Sequence, residues 1–214
     1  MHMKFSSMIP LALALAAATA LAVCCPGAMA QERGGDPLGK LAHCFDDGEF
    51  RVASMDRLPA TKRFREVATV AGTAQVSTAD GYRMLLHQRS KAPLVNLKLE
   101  KSADGRFEQD RGAVLAHMEL FSDSRTDHAQ ELQVSTRDGV EVMALNKSRI
   151  DAGGPLSFYS FAHQGSGTIG TAYILSQPEA VREFNTYDEY ASLRDRFVGK
   201  LVRCMAQQDG TPKG

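Results

Sequence analysis

The sequence predicts an α+β fold: an antiparallel sheet built from hairpins, packed by N-terminal, central and C-terminal helices. Three observations carry this. Both ends of the chain place apolar residues at helical spacing. The stretch between them mostly alternates apolar and polar residues with a period of two. That alternation breaks once, over 106–121, into a helical period.

The elements follow in order. Residues 36–45 form a short helix, with Pro37 near its start and Leu38, Leu41, Ala42 and Phe45 on one face. Residues 49–54 are a weak strand. Residues 65–78 are a stronger one, with Gly72 as a candidate bulge. Asp80-Gly81 is a hairpin turn signal, and 82–87 is the return strand. Val95, Leu97 and Leu99 alternate with Asn96, Lys98 and Glu100, the pattern of a half-buried strand. Phe107, Val114, Leu115, Met118 and Phe121 then fit the central helix. Strands return at 131–136, 140–145, 156–162 and 168–175. Thr186-Tyr187-Asp188-Glu189 is a capping box. The helix it opens runs to about Met205, with Tyr190, Leu193, Phe197, Leu201 and Cys204 as its buried stripe.

Residues 75–90 and 133–148 align without a gap. Gln, Val, Ser, Thr, Asp, Gly and a closing Ser coincide, and each copy is followed by Pro-Leu and a strand. Two readings fit. One is a duplicated unit whose hairpins turn at Asp80-Gly81 and Asp138-Gly139, with Val76 and Val134 facing the same layer. The other is convergence of two Asp-Gly turns.

Residues 1–30 read as a secretory signal peptide. Lys4 precedes the apolar run MIPLALALAAATALAV, and Ala28-Met29-Ala30 is a small-x-small site, with cleavage expected between Ala30 and Gln31. The run is shorter than the ~20 residues a spanning helix needs. Lipid attachment at Cys24 is the alternative, disfavoured by Val23 where a small residue is expected. Residues 31–206 make one α+β domain, and 207–214 a flexible tail. The expected location is periplasmic or secreted, with no transmembrane segment in the mature chain. Acidic and basic residues balance at 25 each, so no charge excess points to nucleic acid or an anionic membrane.

Cys24 and Cys25 leave with the leader, and Cys44 and Cys204 remain. In an oxidising compartment they are expected to pair. The long loop so closed is worth about 5 kcal/mol in the chain-entropy account. A redox or metal role for Cys44 beside His43 lacks the second ligand set such sites need.

No catalytic, cofactor-binding or metal-ligating set is expected. Gly165-Ser166-Gly167-Thr168-Ile169-Gly170 has the spacing G-x-G-x-x-G, but a strand follows it rather than a helix, so a hairpin turn is the better reading. No histidine pair with ligand spacing occurs among His43, His87, His117, His128 and His163. His117 reads as a residue flanking the central helix, and His163 as a polar residue leaving a strand. Asp46, Asp47 and Glu49 cluster, as do Asp123 and Asp127. The second group lacks the glycine and closing glutamate of a calcium loop. Asn146-Lys147-Ser148 is a glycosylation sequon. Phe158 points to one side of its strand, and Tyr159 and Phe161 point to the other. Helices on both sheet faces, or an apolar patch awaiting a partner, would account for them. The function expected is that of a non-catalytic envelope or periplasmic protein binding an unknown protein or small-molecule ligand. The alternative is a hydrolase assembled from dispersed residues.

Overall fold

The computed structural model describes residues 36–45, 48–61, 63–88, 93–122, 131–147, 157–175 and 182–209. The expected leader (with Cys24 and the expected cleavage between Ala30 and Gln31), the Asp46-Asp47 and Asp123–Asp127 carboxylates, His128, Ser148 of the sequon and the last five residues lie outside these.

Helix α1 (Pro37–Ala42) starts where Asp36 accepts a hydrogen bond from the Gly39 amide at 3.0 Å, and it runs into a 3-10 turn, His43–Phe45. Helix α3 (Tyr187–Ala206) begins with the threonine half of the capping box. The Glu189 amide donates to the Thr186 hydroxyl at 3.2 Å, and Asn185 N–H donates to the Glu189 carboxylate. Tyr190, Leu193, Phe197 and Leu201 are buried, as their spacing predicts. Gln207–Asp209 follow as a 3-10 turn, and Met205 just before them is fully buried. Cys44 and Cys204 are bonded, Cα to Cα 6.2 Å, which clamps the first helical segment to the last.

The strands are β1 (Arg51–Leu58), β2 (Arg65–Thr69), β3 (Gly72–Val76), β4 (Asp80–His87), β5 (Val95–Lys101), β6 (Gln133–Arg137), β7 (Val140–Asn146), β8 (Ser157–His163) and β9 (Thr168–Ile174). Seven form one antiparallel sheet in the order β1-β4-β5-β9-β8-β7-β6, while β2 and β3 pair separately. The fold is the predicted α+β class, and helix α2 (Phe107–Ser122) is the predicted central helix.

Two expectations fail together. The stretch 65–78 is a hairpin rather than one bulged strand: Thr69 pairs with Gly72 across Val70-Ala71, and Gly72 takes φ 126°, open only to glycine. Asp80-Gly81 is then no turn. It opens β4, which pairs with β1 and β5, not with β3. Gly81 is needed for a different reason, since a Cβ there would lie 2.8 Å from the Leu99 carbonyl. Asp138-Gly139 does turn as predicted, with φ 50° and 78°, joining β6 to β7.

The pairing also speaks against a duplicated unit. Strands β4 and β7 run the same way and turn matching residues, Met84 and Val142, to the same core, yet β5 and β8 flank them on opposite sides. Superposing β4 on β7 would put β5 where β6 lies. Val76 is buried against α2, whereas Val134 is 53% exposed.

The sheet's first face carries the main core. Met84, Leu97, Ala172 and Tyr159 stand in one row under α1 and α3. Phe197 stacks on Phe45 at 5.6 Å and meets Phe50 edge-on at 5.7 Å. The second face is covered by α2 and the β2–β3 hairpin over two smaller apolar clusters. Phe158 joins one of these, while Tyr159 and Phe161 join the main core, so both sides of β8 are covered. Buried Asp110 anchors α2 by accepting from the Ser77 amide at 3.0 Å and from the Ser77 hydroxyl. His117 holds its other end, with Nδ1 2.7 Å from the Ala68 carbonyl. A carbonyl only accepts, so Nδ1 carries the proton.

Candidate binding pocket on the second sheet face

The alternation of β5 that buries Val95, Leu97 and Leu99 on the first face sends Asn96, Lys98 and Glu100 to the second. Register then builds a floor. One row runs Arg83, Lys98, Thr171 across β4, β5 and β9. The next runs Asn96, Tyr173, Phe158 across β5, β9 and β8. Val114 and His117 of α2 form the roof, and Arg65 and Val67 of β2 the wall, around a cavity of about 180 Å³.

Three cations reach this space. Arg83 stands directly opposite Lys98, a like-charge pair that costs a sheet stability. Glu100, almost fully buried, offsets part of that cost. It lies 2.8 Å from Lys98 Nζ and 3.0 Å from Arg65 Nη2, and accepts from the Thr78 hydroxyl at 2.6 Å. Burial pushes the Lys98 ammonium below the usual lysine range and Arg65 and Arg83 push the same way, while Glu100 pulls back. Burial likewise raises the Tyr173 hydroxyl, against a lowering pull from Arg65. Arg65 and Lys98 share Glu100, while Arg83 is exposed at the mouth, with Lys98 opposite it on β5 and Asp56 opposite it on β1.

The residues singled out from the sequence lie elsewhere. The glycine-rich stretch is the β8–β9 turn, with Gly167 at φ 64°, as expected. His163 is not a solvent-facing exit residue. It is buried at the end of β8, and its Nδ1 lies 2.9 Å from the Ser166 hydroxyl. That hydroxyl donates to Thr168 Oγ1 at 3.0 Å, so its single proton serves the turn. Asn146 of the sequon accepts from Ser157, which in turn accepts from the buried Tyr190 hydroxyl. Among the described residues no three His, Cys, Asp or Glu side chains gather as a metal site would need. No helix there is long and apolar enough to cross a membrane.

Of the pocket residues, Asn96 and Lys98 are legible in the sequence as the polar side of a half-buried strand, Val114 and His117 on the central helix and Phe158 on its strand, none of them as a ligand site. The available signal was the unusual run of polar and charged residues on one side of β5. No protein-family model matches this chain, and neither a curated protein nor a solved structure matches it.

Proposed function

We propose that the chain is an exported, non-catalytic binding protein of the cell envelope, and that the cation-lined pocket takes a small anion. The carrying observation is Arg83 opposite Lys98 in the middle of a sheet. Asp56 on the other side of Arg83 and Glu100 beside Lys98 offset part of that repulsion, and an anion seated between the two cations would turn the rest into two charge-assisted contacts. The pocket brings together donors and no nucleophile–base pair, which supports binding over chemistry.

Titration calorimetry of the full exported protein with sodium acetate, phosphate and benzoate tests this. At least one should bind, and Lys98→Met should abolish the heat without unfolding the protein. Absence of binding by all three would end the reading. Export is tested separately. The intact mass of the exported protein should begin at Gln31, and a diacylglycerol adduct on Cys24 would make it a lipoprotein instead.

The hydrolase reading has one contact to offer, His163 Nδ1 at 2.9 Å from the Ser166 hydroxyl, although that hydroxyl donates to Thr168 and not to His163. Labelling of Ser166 by a fluorophosphonate would support it. An unlabelled protein would leave the contact as a turn brace.

A further inference from the structure

The pocket has two halves of different chemistry. At one end stand the cations. Glu100 occupies Arg65 Nη2 and Lys98 Nζ, but the Arg65 Nε–H is buried with no protein partner among the described residues. Arg83 makes no ion pair among them either. Donors are therefore left over after the internal carboxylate is satisfied. One row along the floor the character changes. Phe158 and Tyr173 stack face to face at 4.5 Å, and His117 stands edge-on to Phe158 at 6.2 Å. Val67 and Val114 close the side.

An inorganic oxyanion would use only the first half. We propose that the ligand is a small organic monocarboxylate with a compact apolar body, such as an aromatic carboxylate. This deepens the anion-binding reading above and rests on it. The carboxylate meets Arg83, Lys98 and the spare Arg65 donor, with Asn96 and Thr171 at the boundary. The body lies against the Phe158–Tyr173 stack under Val114. Size sets the limit. A cavity of about 150 Å³ holds benzene, so about 180 Å³ holds one ring with its carboxylate and little more. A second carboxylate at the far end would sit desolvated in the apolar half, which disfavours dicarboxylates.

The test is a calorimetric series of acetate, butyrate, benzoate, succinate and inorganic phosphate on the full exported protein. Affinity should rise from acetate through butyrate to benzoate, with benzoate at least tenfold tighter than acetate, phosphate or succinate. Val114→Thr should weaken benzoate severalfold more than it weakens acetate, because it alters the apolar wall. Should that variant fail to fold, the ligand series on the unaltered protein still decides. If acetate or phosphate binds as tightly as benzoate, the two-halved pocket is overturned while anion binding stands. If none of the five binds, both readings fall.

Discussion

Strand β5 serves two different solvents. Toward α3 it presents Val95, Leu97 and Leu99, all fully buried among apolar neighbours. Toward α2 it presents Asn96, Lys98 and Glu100, which line or underlie the pocket. The first face is continuous, with aromatic rings from α3, the 3-10 turn and Phe50 interlocked over it. The second is interrupted, with charge between two apolar clusters. Folding stability should therefore come mainly from the first face, and the second should carry residues whose worth to the fold is small or negative.

The largest expected effect lies on the first face. Phe197→Ala removes a ring packed between Phe45 and Phe50 and should cost about 3–5 kcal/mol in urea unfolding. A cost no greater than that of Lys98→Met would break the contrast between the faces. Next comes the clamp beside it. Denatured, unreduced protein should show no free thiol, and joint Cys44→Ser and Cys204→Ser should lower stability by about 2–5 kcal/mol. Two titratable thiols would revive a reactive Cys44.

A smaller effect concerns the cap that holds α1 on the first face. Asp36→Ala should cost about 0.5–2 kcal/mol. Burial works against the Asp36 carboxylate, but the Tyr82 hydroxyl, the Gly39 amide and Arg57 hold it below its ordinary 3.8. Its contribution is complete above that value and is lost as pH falls through the lower folded one. Tyr82→Phe should therefore flatten the acid side of a plot of Tm against pH.

The smallest stability change belongs to the second face. Lys98→Met should leave stability within about 1 kcal/mol, because removing a buried ammonium offsets the lost contact to Glu100, which keeps Arg65 and Thr78. The lowered ammonium has its own sign. Between its folded value and 10.5 the unfolded chain holds more protons, so this group makes stability rise with pH there, and the variant removes that rise. Anion affinity should fall over the same window as Lys98 loses its charge beside Arg65, Arg83 and Glu100.

The faces also differ in how far the sequence discloses them. Helical spacing in 187–206 and period two in 95–99 name most of the first face, since burial on one side is what both patterns encode. The capping box and the Asp138-Gly139 turn are equally local and were readable. The β2–β3 hairpin was not, because Val70-Ala71 is a poor turn dipeptide and only the φ of Gly72 permits it. Asp80-Gly81 misled for the converse reason: Gly81 answers to the Leu99 carbonyl from another strand, a demand that leaves no local trace. The pocket was hidden in the same way. Arg83, Lys98 and Thr171 come from three strands brought together by register, and Arg65 reaches them only through packing of the separate β2–β3 hairpin.

The strand order also bears on when the molecule can become itself. β9 is the last strand made, yet it lies between β5 and β8. Without β9, β5 and β8 would each present an open backbone edge, and the sheet would fall into two parts of three strands each. Thr171 and Tyr173 arrive with the same strand. Closure of the sheet and completion of the pocket floor thus depend on the same strand, so a chain truncated before β9 has neither.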